Sequence, residues 1–248
     1  MSKGTKRAVL VGCNYPKTQF NLHGCINDVK AIRGVILNFG FKESDVNVLT
    51  DAPGSPVLAM GANIKDALNR MVNKAKAGDI LFFYFSGHGT RIPIFQPGQP
   101  FKQDKAIVAC DLNLVTGAID TAAGILHDAA NVGQKIFGIF GKDVSLKFHP
   151  HYVNGLMVLD PPEEDEGILL SGCEANETSY DLVLGNRAFG AFTDAVVSVL
   201  DQCMGGGISN RQLMVEAAKI LKNNGFEQNP CLYCSDENTN TLFLGGFA

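Results

Sequence analysis

His88 stands in the short run Ser86-Gly87-His88-Gly89, whose residue types suit proton transfer. A histidine changes charge near neutral pH and serves as general acid or base. The flanking glycines let the backbone turn sharply and let a ligand come close. The same run also suits a structural histidine packed on a turn. The chain carries seven cysteines, an odd number, most of them inside apolar runs. That usage points to reduced, buried thiols of the cytosol or nucleus, not to a disulfide framework. Cys231-Leu-Tyr-Cys234 has C-x-x-C spacing but lies in a strand-like run. No second Cys/His pair stands nearby, which argues against zinc or redox use.

The elements that must position His88 follow from hydrophobic periodicity. Ile80-Leu-Phe-Phe-Tyr-Phe85 is too short for an ordinary helix and fits a strand buried on both faces. Chemistry in open α/β sheets gathers beyond the carboxyl ends of such strands, where His88 lies. Before it, Arg7 to Gly12 reads as a buried strand and Val46 to Leu49 as a second. The spacing of Val29, Ile32, Val35, Ile36 and Phe39 predicts a helix from Asn27, stopped by Gly40. Ile64, Ala67, Leu68, Met71 and Ala75 predict another over Asn63 to Ala77, stopped by Gly78. Strand and helix in alternation imply parallel pairing with right-handed crossovers.

Arg91 to Lys105, with three prolines, reads as loop, followed by a short strand at Ala106 to Cys110. Thr121 to Lys142 has a helical pattern weakened by four glycines. Pro161-Pro-Glu-Glu-Asp-Glu166 is an acidic linker. Beyond it come a strand over Gly167 to Gly172 and a helix over Gly190 to Leu200. Ser209-Asn-Arg-Gln212 is a capping box opening a helix to Asn223, and Pro230 to Cys234 is a last strand.

At 248 residues the chain can bury one large domain or two small ones. A net charge of −4, with no basic cluster, argues against nucleic acid as a partner. No apolar run approaches the ~20 residues that span a bilayer, and no signal peptide is read. There is no dinucleotide-binding G-x-G-x-x-G, no phosphate-binding G-x-x-x-x-G-K-[ST] and no G-x-S-x-G.

Seven stretches, in order, resemble the metacaspases, caspase-like cysteine peptidases, and the plant type II branch most of all. They are Ala8-Val-Leu-Val-Gly-Cys-Asn-Tyr-Pro16, Leu22-His-Gly-Cys-Ile-Asn-Asp-Val29, Tyr84-Phe-Ser-Gly-His-Gly-Thr90 and Ile107-Val-Ala-Cys-Asp-Leu-Asn-Leu114. The second half adds Gly167-Ile-Leu-Leu-Ser-Gly-Cys173, Glu177-Thr-Ser179 and Gly225-Phe-Glu-Gln-Asn-Pro-Cys-Leu-Tyr-Cys234. The resemblance implies an α/β fold, a caspase-like three-layer sandwich with a mostly parallel sheet and helices on both faces. It implies one caspase-like domain with a large-subunit-like part over 1–116, an irregular linker over 117–166 and a small-subunit-like part over 167–248. It also implies a Cys-His dyad cleaving peptides after Arg or Lys. His88 matches the family's histidine, Asp28 an acid of the pocket for the basic side chain, and Ser86 a hydroxyl lining it. Taken without the family, Asp28 reads as a helix N-terminal acid that complements the dipole.

The chain departs from the family where the nucleophile is expected. No cysteine is followed by His-Ser-Gly, and no apolar strand ending in that run follows Leu114. One central strand is therefore missing or replaced, by Gly155 to Leu159 or by the Ala118 to Lys142 segment. Cys13 and Cys25 are the substitute nucleophiles to weigh. The calcium that the resemblance implies is held by clustered oxygens, about six to eight of them. Only Asp104 and Asp120 stand where the family's acidic clusters are expected. Three readings follow. The first is a pseudo-peptidase that binds basic peptides or another metacaspase. The second is an endopeptidase using Cys13 or Cys25. The third is a shortened, non-enzymatic product. By family analogy Lys135 and Lys142 are self-processing positions.

Overall fold

Lys6–Gly12 (KRAVLVG) forms strand β1, and six of its seven residues are buried. An uninterrupted run of small and branched apolar residues tolerates burial on both faces, as a central parallel strand demands. Strand β2, Val46–Thr50, pairs parallel with it along one edge and strand β3, Ile80–Ser86, along the other. The sheet order is β2-β1-β3. The computed structural model describes residues 4–16, 18–94, 102–111, 152–153, 156–157, 167–173, 177, 179–203 and 206–246.

Helix α1, Cys25–Asn38, links β1 to β2, and helix α2, Gly61–Asn73, links β2 to β3. The two crossovers run in opposite directions along the sheet, so right-handed connection puts the helices on opposite faces. This is the α/β sandwich that the sequence predicts. α1 buries Val29, Ile32, Val35 and Ile36. It packs so close to β1 that a Cβ on Gly12 would lie 2.8 Å from a Val29 methyl. Gly40, at φ +82°, ends α1. The amide of Gly40 donates to the Leu37 carbonyl and that of Phe41 to the Ile36 carbonyl, at 3.0 and 3.3 Å. That closure satisfies carbonyls that the helix end leaves open. α2 stops at Asn73, four residues before the predicted Ala77.

The chain divides into two compact units, Met1–Gly133 with Asp181–Gly190, and Gln134–Tyr180 with Ala191–Phe247. In the second, strand β8 (Leu169–Ser171) pairs antiparallel with strand β11 (Cys231–Tyr233). Helix α3 (Ala191–Gln202) packs on helix α4 (Asn210–Asn223) through Val199, Leu200, Leu213 and Leu221. The Ser209 hydroxyl caps α4 by accepting from the Gln212 amide, at 3.2 Å. The buried Gln228 side chain ties two loops, donating to the Gly172 carbonyl and accepting from the Tyr180 amide, at 2.7 and 3.0 Å. The second unit also holds a short antiparallel pair, strands β6 (Tyr152–Val153) and β7 (Leu156–Met157).

Three expectations are corrected. Arg91 to Lys105 is not loop throughout: strands β4, Gly89–Ile94, and β5, Lys102–Ile107, form a hairpin. The Val108 amide donates to the His88 carbonyl, at 2.9 Å, so residues 90, 92 and 94 turn their backbone groups toward β5. Pro93 falls between them, where a missing N–H costs no ladder bond. Second, Asp181–Leu184 and Arg187–Gly190 form an unforeseen hairpin, strands β9 and β10, and the predicted helix follows it as α3, one residue later than expected. Third, the Ile80–Phe85 run is not buried on both faces. All seven residues of β3 stay half-buried, because among the described residues β3 pairs with β1 alone.

Candidate active site

The turn beyond β3 is built by its neighbours. The register pairs Gly12 with Ser86, and the Cys13 amide donates to the Ser86 carbonyl at 2.9 Å. The two parallel strands therefore deliver Cys13 and the Ser-Gly-His-Gly run to the same edge of the unit. The half-buried His88 ring lies beside the Tyr15 ring, with centroids 4.9 Å apart, and edge-on to Phe20 at 6.3 Å. Its Nε2 lies 2.6 Å from the Phe20 carbonyl oxygen. A carbonyl oxygen only accepts, so Nε2 carries a proton, and in the neutral ring Nδ1 holds the lone pair. Nδ1 is then the atom that takes or returns a proton.

Asp28 and Ser86 meet, as the resemblance implies. Asp28 is only 2% exposed and accepts the Ser86 hydroxyl at 2.9 Å. Both of its oxygens also face the Gly190 amide of β10, at 2.9 and 3.1 Å. A Cβ on Gly190 would lie 2.7 Å from Asp28 Oδ2, so a side chain there would push the carboxylate out of place. The carboxylate thus faces main-chain and hydroxyl donors in place of water. Asp28 also stands in the first turn of α1, where its charge complements the helix dipole, and a second acid joins it at that helix end. Asp181 of β9 accepts the His23 and Gly24 amides at the start of α1, at 2.7 and 2.8 Å. Asn27 Nδ2 adds a bond to the Ala188 carbonyl, so the hairpin is pinned to α1 at three places.

The thiols of this unit are in the opposite state from an activated nucleophile. Cys13 is fully buried, its Sγ directed at the Ala59 carbonyl, and burial drives its thiol pKa far up, with the Asp51 charge adding to the effect. Cys25 is 3% exposed and burial pushes its thiol up to about 12. Burial, then the Asp111 charge, pushes Cys110 up to about 11. All seven cysteines are thiols, with no disulfide. Cys231 Sγ approaches the Asn229 carbonyl and Cys234 Sγ the Thr239 hydroxyl, separate partners for the C-x-x-C pair.

Among the described residues no group of three or more His, Cys, Asp or Glu could hold a metal ion. Asp104 is placed only by its backbone in β5. Asp120, Lys135 and Lys142 lie outside the described residues. Among the described residues no helix is long and apolar enough to cross a membrane.

The sequence reading missed the residues around His88. Tyr15, Phe20 and Asp51 come from loops without periodicity, and Asp181 and Gly190 from the unforeseen hairpin. The signal for Tyr15 lay in the Cys13-Asn-Tyr-Pro16 stretch, matched as a motif but given no role.

Residues 5–241 match the caspase domain model. The chain is 40% identical to Metacaspase-9 of Arabidopsis thaliana, over 96% of each chain. Metacaspase-6 of the same plant is 27% identical, over 96% of this chain and 99% of that one. Metacaspase-2 of Trypanosoma brucei brucei is 28% identical, over 93% of this chain and 73% of that one. The match to Metacaspase-9 runs over 312 aligned positions against the 248 residues of this chain. That relative therefore holds stretches with no counterpart here.

Proposed function

Because the chain belongs to the metacaspase family of caspase-like cysteine peptidases, we propose that it keeps the proton-handling histidine, His88, without a thiolate to serve. It acts as a pseudo-peptidase. One observation carries this reading: in the unit that holds His88, Cys13 and Cys25 are buried, and burial pushes these two thiols and that of Cys110 upward. A cysteine nucleophile needs its pKa lowered, next to a cation or histidine. Substitution by Cys13 or Cys25 runs against that requirement.

What remains is recognition. Asp28 with Ser86 offers a carboxylate to an Arg or Lys side chain, a charge-assisted pairing. The carboxylate is 2% exposed and already accepts from Ser86 and Gly190, so an incoming cation competes with both and binding of basic peptides is weak. The partner is a protein segment bearing Arg or Lys, including one on another metacaspase. The residues present do not fit calcium, since Asp104 and Asp120 supply too few of the about six to eight oxygens it takes. Calcium at millimolar concentration leaves the thermal midpoint unchanged.

The test uses fluorogenic peptides with Arg or Lys at the cleavage position, with and without calcium. His88→Ala, Cys13→Ser and Cys25→Ser chains run beside the purified protein. The expected result is no turnover above the His88→Ala background. Turnover abolished both by His88→Ala and by one Cys→Ser change would sink the reading and identify the nucleophile.

A further inference from the structure

The loop after β1 does more than connect it to α1. Tyr15 is 3% exposed and holds φ +49°, a backbone conformation disfavoured for residues with a Cβ. The Asp51 carboxylate holds it there, accepting the Asn14 amide at 2.9 Å and the Tyr15 amide at 2.7 Å. Thr18 closes the turn by donating its hydroxyl to the Tyr15 carbonyl at 2.9 Å. The ring so placed lies along the His88 ring. Its hydroxyl sits between two main-chain groups, donating to the Val108 carbonyl at 2.6 Å and accepting the His88 amide at 2.9 Å. The Tyr15 amide, the Tyr15 hydroxyl and the His88 amide each have a partner here, and Tyr15 itself is buried.

Gly87 shows how specific the arrangement is. A Cβ there would lie 2.6 Å from the Tyr15 hydroxyl oxygen and 2.8 Å from the Phe85 ring. The first glycine of Ser-Gly-His-Gly is thus the space the tyrosine hydroxyl occupies. The mechanism above uses His88 but leaves Tyr15 and Gly87 without a task.

We propose that Tyr15 is the positioning residue of His88. Its hydroxyl fixes the His88 backbone against Val108, just beyond β5. Its ring face holds the imidazole so that Nε2–H stays on the Phe20 carbonyl and Nδ1 stays open. Asp51 sets Tyr15, and Gly87 admits it. The inference rests on reading His88 as the proton-handling residue, but it needs no thiol.

Nitrogen-15 NMR of the full-length chain tests it, reading the His88 imidazole tautomer and amide exchange. In the wild type Nε2 is protonated, Nδ1 is not, and the His88 amide is protected. Tyr15→Phe speeds exchange of that amide about tenfold, the equilibrium equivalent of one hydrogen bond. It also mixes the tautomers, while the Leu10 and Val11 amides of β1 keep their protection. Gly87→Ala gives the same signature. Its cost in thermal midpoint is smaller in the Tyr15→Phe chain, where the clashing oxygen is gone. A Tyr15→Phe chain with a lowered midpoint but wild-type tautomer and His88 exchange would make Tyr15 a core residue only. If Tyr15→Phe does not fold, the wild type still decides: a neutral ring protonated on Nδ1 and not on Nε2, or an unprotected His88 amide, overturns the proposal. Thiol-dependent peptide turnover would overturn the pseudo-peptidase reading and leave this one standing.

Discussion

Strands β1 and β3 run parallel in one register, and both are apolar, yet they end in different worlds. β1 has six buried residues of seven and runs into Cys13, which is fully buried. β3 has none buried and runs into Ser86 and the half-buried His88. Neighbours decide this, not composition: β1 pairs on both edges and β3, among the described residues, on one. Adjacent strand ends bring a cysteine and a histidine run to the same place. Burial then separates their surroundings, leaving the histidine half-buried and pushing the Cys13 thiol pKa far up.

Thiol reactivity gives the largest contrast. An ordinary thiol has a pKa near 8.5, and Cys25 is pushed up to about 12. At pH 8 its thiolate fraction is roughly a thousandfold below that of an exposed cysteine, and its alkylation by iodoacetamide slows at least as much. Mass spectrometry of the native chain finds Cys13 and Cys25 unmodified, while denaturant exposes both. Rapid native labelling of either would remove the barrier and restore a substitute nucleophile.

Side-chain truncation comes next, on a matched pair. Leu10 of β1 is 0% exposed, whereas Leu81 of β3 is half-buried. Leu10→Ala costs about 3–4 kcal/mol, as removal of core methyl groups with a residual cavity does. Leu81→Ala costs about 1 kcal/mol, since its surroundings are already partly water. Urea denaturation midpoints read the difference. Equal costs would mean that β3 is as enclosed as β1 and that its second edge is covered.

The fold was readable where one principle acts alone. Periodic apolar spacing located α1, α2, β1 and β2, and a small-residue turn after an apolar run located His88. The failures came where a longer-range cause prevailed. In sequence Pro93 reads as a breaker, because its outward backbone position depends on the β4–β5 register. Asp181-Leu-Val-Leu-Gly-Asn-Arg-Ala-Phe-Gly190 carries a Gly-Asn hairpin signal, with Gly185 at φ +60°, but too little alternation to stand out. The partners of Asp28 are a hydroxyl 58 residues away and an amide 162 residues away. No local pattern announces such pairs. Tyr15 escaped for the same reason, since its value lies in an oxygen placed between His88 and Val108.

The smallest effect concerns what holds the two strands together at their starts. Asp79, just before β3, accepts the Thr5 amide ahead of β1, the Arg7 guanidinium within it and the Lys76 amide. These bonds hold the Asp79 carboxyl below the usual carboxylate range, the Thr5 amide contributing most. A carboxyl lowered on folding stabilises the folded chain fully above its unfolded value, near pH 4. That contribution is lost as pH falls through the lower folded value. Asp79→Asn therefore shifts the urea midpoint at pH 7 by less than Leu81→Ala, and the shift shrinks toward zero as pH falls from 5 to 2. Parallel curves over that range would mean that Asp79 joins the strands through geometry alone. The two strands would then share a start that acid does not loosen, and the difference between them would lie wholly at the edge of β3.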